Sequence, residues 1–314
     1  MWCCGEVQEH ARRWSKRWPS AFDLIQLTRA SRELGLHSDT IAAVCLQFAR
    51  SRDAFRRRPR WRKSSGSKRS LGWVPFNAPR AIKLAGNAII YLKQRYRLWL
   101  HRPVEGRILT GCFAEDACRR WYLNLQCEVE ETLATGSGAV GVDLGLATLA
   151  KLSDGGKVDR QRITARYEQQ LATAQRAGRK ARVKAIHAKI TNVRRDFLHR
   201  ASNAIACKYE NIVVGKVSAA RLARTRLAKS VLDAGWSAFR NMLRYKALRH
   251  GARYLEVDER YSTQRCSGCG ALGGPKGIAT LGVREWVCAS CGVVHDRDTN
   301  AARNLLRARA LASS

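Results

Sequence analysis

Four cysteines near the end of the chain have the spacing of a metal site. They form two Cys-x-x-Cys pairs with 18 residues between them: Cys266, Cys269, Cys288 and Cys291. A glycine follows the second cysteine of each pair, as in the tight knuckles that present thiolates to zinc. A redox dithiol, the alternative, needs only one pair. The two pairs therefore predict a structural Zn²⁺ held by four thiolates, with no open position for a substrate.

Carboxylates at two places in the sequence could hold a second kind of metal. Asp143 stands near the end of an apolar strand pattern that begins at Ala139. Asp296, Asp298 and Asn300 alternate where a helical segment opens. Capping of that helix by Asp298 is the structural alternative, but one cap does not need three such residues. Oxygen ligands of this kind suit Mg²⁺, and carboxylates that meet in space can hold it for phosphodiester hydrolysis.

The charge of the chain points to a polyanionic partner. The 314 residues contain 58 Lys and Arg against 25 Asp and Glu, which gives a net charge of +33. That excess is too large for an ordinary metabolic enzyme, and it suits nucleic acid or an anionic membrane surface. The sequence shows neither a membrane-spanning apolar run nor a signal peptide's apolar core, so a cytoplasmic location is expected. The 45% hydrophobic content suffices for packed cores.

Two stretches concentrate the positive charge. Residues 50–69 carry ten Lys and Arg against Asp53 alone, with Trp61 among them, and residues 151–200 carry 14 against four acidic residues. A solvated helix face is the ordinary explanation of such a run, but this density favours phosphate contact. The residues expected to bind nucleic acid are Arg56, Arg57, Arg58, Arg60, Arg62, Lys63, Arg194 and Arg195.

Hydrophobic periodicity predicts the elements that position these residues. Residues 1–60 read as helices, with a break at Gly35 and a new helix capped by Ser38 or Asp39. Four short aromatic stretches then predict a small barrel-like β domain, whose core is expected to include Trp99, Trp121 and Tyr122. The stretches are residues 71–76, 95–100, 106–113 and 120–129.

The second half of the chain has an alternating pattern that follows a predicted linker at residues 132–138. Strands are expected at residues 139–143, 211–214 and 252–257. Two long polar helices are expected within residues 161–209, a further helix up to about residue 249, and a last helix near Thr299. Of the 11 cysteines, the seven outside the two pairs are expected to pack as small apolar residues in a reduced protein.

Several of these motifs occur together in one known family. In order they are Gly141-Val-Asp-Leu-Gly145, the basic helices, Leu227 to Trp236, Tyr261 to Gly270, and Asp296-Arg-Asp-Thr-Asn-Ala-Ala302. This order closely resembles the TnpB (OrfB-type) proteins of bacterial insertion sequences, which are related to compact type V CRISPR effectors. The resemblance spans roughly residues 10–308.

The resemblance implies an RNA-guided DNA endonuclease with guide RNA and target DNA as partners, no membrane, and a place near the bacterial nucleoid. It implies an α+β multidomain fold: a helical recognition segment at 1–70, a wedge-type β-barrel domain at 71–135, an RNase H-like (RuvC) nuclease domain at 136–262 and 293–314, and an inserted zinc ribbon at 263–292. Asp143 matches the first RuvC motif. Asp298 matches the metal-binding aspartate of the third, with Asp296 and Asn300 beside it, so catalytic Mg²⁺ is expected there.

One position departs from the family pattern. The second RuvC motif normally has a glutamate where this chain has Gly215, at the end of the strand that begins at Asn211. One interpretation is an inactive nuclease that remains an RNA-guided, repressor-like DNA-binding protein. The other is a relocated carboxylate. In an RNase H fold the strand ending at Gly215 lies beside the strand ending at Val257, so Glu259 is expected to supply the missing ligand across Gly215.

The start of the chain is the second departure, because family members open with a β strand and this chain opens as a helix. The sequence therefore predicts a truncated start or a misassigned start codon. Two further functions were weighed. A transposase is disfavoured, since no Tyr or His-x-His nucleophile stands out. A zinc-ribbon nucleic-acid protein without a guide would not copurify with RNA, and this distinguishes it from the guided proteins.

Overall fold

The computed structural model describes residues 18–29, 35–57, 59, 66, 69–78, 80–100, 103–130, 132–216, 235–276, 280 and 282–312. The chain divides into two compact units, Met1–Glu130 and Glu131–Ser314. The finer four-part division expected from the sequence stays a prediction. Among the described residues, no helix combines the length and the apolar character that a membrane crossing requires.

The described part of the first unit begins with two helices, α1 (Ala21–Arg29) and α2 (Ser38–Phe55). They pack through Leu24 and Phe48, whose side chains are buried. The cap of α2 is His37, whose Nδ1 accepts a hydrogen bond from the backbone N–H of Asp39 at 3.2 Å. The expected cap by Ser38 or Asp39 was therefore wrong, because the imidazole ring supplies the acceptor one residue earlier.

Six strands follow among the residues that the structure describes in this unit, in two three-stranded sheets with the orders β1-β5-β6 and β2-β3-β4. They are β1 (Trp73–Asn77), β2 (Ile82–Ala85), β3 (Ala88–Tyr91), β4 (Gln94–Arg97), β5 (Arg107–Glu115) and β6 (Trp121–Glu128). Both sheets contribute to one apolar core, with Phe76 and Ile89 fully buried in it. The four expected strands are present, and the hairpin of β2 and β3 was missed.

The aromatic residues expected in that core lie outside it. Trp99 is 94% exposed, Trp121 55% and Tyr122 46%. In β6 the residues that pack inward are Leu123 and Leu125, so alternation turns Tyr122 outward. Trp121 shares the face of Leu123, but it is the first residue of β6, and its ring lies over Gly72 and outside the core. The expectation was wrong because the sequence of a short aromatic strand shows neither which residues face the core nor how far along the strand the core extends.

The second unit is built on a five-stranded sheet with the order β11-β10-β7-β8-β9. Its strands are β7 (Ala139–Leu144), β8 (Thr148–Leu152), β9 (Lys157–Asp159), β10 (Asn211–Gly215) and β11 (Arg253–Val257). β7, β8 and β9 are antiparallel neighbours, whereas β10 runs parallel to both β7 and β11. The ends of β7, β10 and β11 therefore meet at one edge of the sheet. The three strands expected from the sequence are confirmed.

The described part of this unit also contains three helices and an extended segment. The second and third helices pack on the core of the sheet, and the first helix packs on the second. The helices α3 (Ile163–Arg176), α4 (Lys180–Lys208) and α5 (Trp236–Arg249) agree with the expected helical stretches. The segment expected to be a linker is held by hydrogen bonds, from the N–H of Ser137 to the carbonyl of Lys208 and from the N–H of Thr135 to that of His250. It is therefore fixed to the ends of α4 and α5.

The last helix, α6 (Arg297–Ala312), follows a two-stranded sheet of β12 (Glu285–Val287) and β13 (Val294–Asp296). It lies against β7 so closely that a Cβ on Gly141 would stand 1.9 Å from the carbonyl oxygen of Ala302. Only glycine allows this approach. Because Gly141 and Asp143 share a face of β7, α6 lies on the side of the sheet toward which Asp143 projects.

Candidate metal centres

The carboxyl ends of the parallel strands bring the predicted acidic residues to one edge. Asp143 is the second-last residue of β7, Gly215 ends β10, and Val257 lies opposite Gly215 at the end of β11. Glu259 follows two residues later, so alternation puts it on the same face as Val257. This face is the one covered by α6, since Val213, Val257 and Leu305 share a core.

Glu259 lies directly over Gly215. A Cβ built on Gly215 would stand 2.3 Å from Oε1 of Glu259 and 2.7 Å from its Cγ. No described residue donates a hydrogen bond to Oε1, although that atom is buried. The neighbouring Glu256 points elsewhere, because its Oε1 accepts hydrogen bonds from Tyr254 at 2.8 Å and Arg244 at 2.7 Å.

The two acidic side chains at this edge resist ionisation. Burial, and then the negative charges of Glu259 and Asp298, raise the pKa of Asp143 well above its usual range. Burial raises the pKa of Glu259 to about 7, with the charge of Arg240 acting against the rise. Carboxylates that crowd in this way favour a bound cation, which would replace the protons and relieve the repulsion.

The beginning of α6 contributes further carboxylates. Asp298 pairs with Arg284 at 3.2 Å, and Asp296 is paired with Lys151 at 3.8 Å. The cap of α6 is Asp296, whose Oδ1 accepts the N–H of Thr299 at 2.8 Å. The structural alternative, capping by Asp298, is therefore excluded, because the helix begins at Arg297. The negative charge of Asp298 acts instead on Asp143.

Asn300 has contacts on the other side of the helix. Its Oδ1 accepts the N–H of Ser267 at 2.8 Å and its Nδ2 donates to the carbonyl of Arg265 at 2.8 Å. Asn304 donates to the carbonyls of Ser262 and Arg265 as well. These amides hold the Cys266 knuckle against α6. The expected supporting role of Asn300 as an oxygen ligand beside Asp298 stays a prediction, and the structure gives its oxygen another partner.

Sequence reasoning missed one residue of the acidic edge. Lys151 lies opposite Asp143 in the pairing of β7 with β8, so the two side chains project from the same face. Its side chain is only 20% exposed. No sequence signal marks it, because the register between two strands is not visible in the chain.

The four cysteines of the two Cys-x-x-Cys pairs meet in space. Their sulfur atoms lie within 4.8 Å of one another, and within the described part of the chain no other group of Cys, His, Asp and Glu meets this criterion. The carboxylates of Asp143, Glu259 and Asp298 are thus less tightly gathered. Two of the Sγ–Sγ distances are 3.6 Å (Cys266 to Cys291) and 3.7 Å (Cys269 to Cys288). Tetrahedral zinc with Zn–S bonds of about 2.3 Å requires about 3.8 Å, so the cluster fits this metal.

His295 supports the cysteine cluster from outside. Its Nε2 lies 3.0 Å from Sγ of Cys266, and its ring lies against Trp286 with centroids 4.8 Å apart. Burial acts to raise the pKa of Cys266, but hydrogen bonds from the N–H of Cys269 and from His295 lower it to about 5. A thiolate is the form that binds a metal ion.

The residues expected to bind nucleic acid are only partly described. Arg56 and Arg57 are exposed at the end of α2, and Arg195 is exposed on α4. Arg194 is half-buried and donates to Oγ1 of Thr164 at 3.0 Å, so it contributes to helix packing. The remaining four, Arg58, Arg60, Arg62 and Lys63, lie outside the described residues.

Comparison with known proteins identifies relatives. Residues 123–226 match the OrfB_IS605 family model, described as "Probable transposase", and residues 236–305 match the "Cas12f1-like, TNB domain" model. A Streptomyces pristinaespiralis protein named "Putative RNA-guided DNA endonuclease" is 36% identical over 226 residues, which cover 68% of this chain and 56% of that protein. "Putative RNA-guided DNA endonuclease InsQ" of Escherichia coli K12 is 29% identical over 296 residues, 83% of this chain and 70% of that protein.

Two further matches involve Cas12f1. "CRISPR-associated endodeoxyribonuclease Cas12f1" of Sulfoacidibacillus thermotolerans is 27% identical over 238 residues, 65% of this chain and 56% of that protein. A solved Cas12f1–sgRNA–target DNA complex has a TM-score of 0.43 at 13% identity, over 98% of this chain and 90% of that one.

The chain is therefore a relative of the OrfB-type proteins of insertion sequences. More particularly, the resemblance to TnpB is confirmed, and the chain is related to InsQ and Cas12f1. It spans 56–70% of the length of these three relatives.

Proposed function

We propose that this chain is an RNA-guided DNA endonuclease of the TnpB type. The names of its relatives support this function, and the net charge of +33 suits a protein that holds a guide RNA and a DNA target. One observation carries the proposal of an active nuclease. The carboxylate of Glu259 lies over Gly215 and interacts electrostatically with Asp143, where the family's usual glutamate is missing.

The sheet of the second unit supports an RNase H-like (RuvC) nuclease domain. The strands β7, β8 and β9 form an antiparallel meander, and β10 and β11 continue the sheet in parallel with β7. The resemblance had predicted that β10, which ends at Gly215, lies beside β11, which ends at Val257. In such a domain the acidic residues stand at the ends of β7 and β10 and at the start of the last helix, and here Asp143, Glu259 and Asp298 are the candidates.

These three carboxylates fit Mg²⁺. The buried Oε1 of Glu259 accepts no hydrogen bond from a described residue, and the negative charges of Glu259 and Asp298 raise the pKa of Asp143. Both features are expected of oxygen ligands for a hard cation. Mg²⁺ bound there would activate water and stabilise the leaving oxygen of a phosphodiester.

The chain's own residues would position that chemistry. The close contact of α6 with Gly141 fixes Asp298 relative to Asp143. The indole Nε1 of Trp236 donates to the carbonyl of Gly145 at 3.3 Å and so anchors the loop after Asp143. Base pairing with the guide would select the target, while exposed arginines such as Arg56 and Arg57 would hold phosphates.

The cysteine cluster would hold a structural Zn²⁺. Four thiolates leave no position for a substrate, so the metal would stabilise the ribbon and not act on DNA. A short segment with few buried side chains depends on such a metal for its folding. Through Asn300 and Asn304, the same segment is joined to the helix that carries Asp298.

Guided cleavage tests the function. The RNA that copurifies with the chain is sequenced, and a matching duplex is incubated with the complex and Mg²⁺. Cleavage is expected for the wild type, and a loss of at least 100-fold is expected for Asp143→Ala, Glu259→Ala and Asp298→Ala. Glu210→Ala is the control, since this exposed glutamate lies at the opposite end of β10.

Two results would change the proposal. Full activity of Glu259→Ala would show that the carboxylate over Gly215 takes no part in cleavage. Guided binding without any cleavage by the wild type would instead favour the RNA-guided DNA-binding protein.

A further inference from the structure

A row of charged side chains crosses the sheet beside the acidic edge. Lys157 on β9 lies opposite Lys151 on β8, and Lys151 lies opposite Asp143 on β7. Directly opposed residues of an antiparallel pair project from the same face with Cβ atoms about 5 Å apart. Two lysines thus stand side by side on the face of the sheet that carries Asp143 and Glu259.

Two lysines in opposed positions destabilise the folded protein when no other molecule is bound to it. Like charges directly opposite one another destabilise a pair of strands. Each lysine has its own aspartate, Asp296 at 3.8 Å from Lys151 and Asp159 at 3.1 Å from Lys157. Neither ion pair neutralises the neighbouring lysine. The two ammonium groups therefore repel each other, and a polyanion bound on this face would relieve that repulsion.

The contact of Lys151 is also incomplete. A distance of 3.8 Å between Nζ and Oδ1 exceeds that of a hydrogen bond. The same Oδ1 of Asp296 already accepts the N–H and the hydroxyl of Thr299. The ammonium group is therefore held near the acidic edge, and its donors remain available to an anion.

We propose that Lys151 and Lys157 bind consecutive backbone phosphates of the DNA strand that enters the acidic edge, with Lys151 at the phosphate that is cleaved. The inference rests on the proposed nuclease function and deepens it. The strand would cross the sheet from β9 toward β7, over Lys157 first. Lys151 is then a catalytic residue, because its ammonium stabilises the negative charge that develops on the phosphate oxygens.

Cleavage rates give the first test. Under single-turnover conditions at saturating Mg²⁺, Lys151→Met is expected to lower the rate about 100-fold, the usual effect of losing one charged donor. Lys151→Arg is expected to recover part of the rate, and Lys157→Met to have a smaller effect. Lys208→Met is the matched control. It breaks a comparable Lys–Asp ion pair of 3.2 Å with Asp154, at the other edge of the sheet.

Mn²⁺ binding without DNA, followed by electron paramagnetic resonance, separates contact with DNA from support of the carboxylates. Lys151→Met is expected to bind Mn²⁺ as tightly as the wild type or more tightly, since it keeps every acidic ligand and loses a nearby positive charge. A tenfold weaker affinity would show that Lys151 organises the carboxylates, and the proposal would then fail. A cleavage rate within threefold of the wild type would refute it as well.

Affinity for single-stranded DNA keeps the test informative if the wild type binds its target but does not cleave it. The dissociation constant of a short single-stranded oligonucleotide is measured against salt concentration. Each lysine that contacts a phosphate contributes about 0.7 to the slope of log K against log salt. The slope should fall by this amount in Lys151→Met and again in the double variant, and unchanged slopes would refute the phosphate contacts whatever the outcome of the cleavage assay.

Discussion

Replacing Gly215 with alanine should inactivate the nuclease without unfolding it. The new methyl group would stand 2.3 Å from Oε1 of Glu259, whereas ordinary contacts begin at 3.4 Å. The carboxylate must therefore retreat by about 1 Å. The backbone at Gly215 does not have a positive φ, so alanine itself is compatible with the strand.

The size of the loss in cleavage rate depends on which atoms move to relieve the clash between the new methyl group and Glu259. The atoms in conflict belong to the flexible end of Glu259, so they can move at small cost while β10 keeps its place. A displacement of about 1 Å in a group that holds the reacting atoms can lower a rate by about 100-fold. We therefore expect about this loss in cleavage, with the guided affinity for target DNA unchanged.

The assay compares four variants in single-turnover cleavage and in thermal unfolding. Gly215→Ala is compared with Gly273→Ala, since a Cβ on Gly273 meets no atom within 4 Å. The double variant Gly215→Glu with Glu259→Ala returns a glutamate to the end of β10, and it should cleave faster than Glu259→Ala alone. If Gly215→Ala cleaves within threefold of the wild type while remaining folded, the carboxylate over Gly215 is not part of the reaction.

Three further outcomes are expected. Asn300→Asp replaces the Nδ2 group, which donates to the carbonyl of Arg265, with an oxygen that can only accept. This change should lower the free energy of unfolding, measured by urea titration, by about 1–3 kcal/mol. A strong zinc chelator should release one metal ion per chain and reduce guided cleavage even after Mg²⁺ is restored, as followed by metal analysis. The hydrogen bond from Tyr209 lowers the pKa of Asp154, so Asp154→Asn should be less stable than the wild type at pH 7. Since the side chain of Asp154 is 41% exposed, the difference should stay below about 1 kcal/mol, and it should disappear as the pH falls below about 4.

Each of these outcomes has a control. Asn203→Asp makes the same change on an exposed position of α4 and should shift the unfolding midpoint much less. Metal analysis that finds no zinc would contradict the assignment of the cysteine cluster. Glu210→Gln removes an exposed carboxylate, and a stability difference of the same size and pH profile as in Asp154→Asn would mean that net charge, and not the Tyr209 contact, is responsible.

The elements of the second unit were readable from the sequence because their patterns are strong. The apolar runs ending at Asp143, Gly215 and Val257 are strands, and the pairing of the last two placed Glu259 over the glycine. The function of the cysteine pairs was equally clear, since two Cys-x-x-Cys pairs at this spacing are typical of a four-thiolate zinc site. In these cases the local pattern and the tertiary structure agree.

Features that depend on register or on the choice between two faces were not readable. Nothing in the sequence shows that Lys151 pairs with Asp143, and the outward position of Tyr122 depends on which alternation the core selects. The capping of α6 by Asp296 in place of Asp298 reflects a helix that begins two residues earlier than expected. Both aspartates are suitable caps, so only the three-dimensional structure distinguishes them.

The segment that leaves the sheet after Val257 is joined by hydrogen bonds to the helix that returns to the sheet. These joined segments form a stem at the base of the cysteine ribbon. Asn304 on the returning helix holds the outgoing carbonyls of Ser262 and Arg265, and the N–H of Arg297 donates to the carbonyl of Arg284 at 2.7 Å. The separation of Glu259 and Asp298 is thus set by the stem and not by the number of residues beyond it. Insertions and deletions in the outer part of the ribbon can accumulate during evolution, or be engineered, while the two carboxylates keep their places.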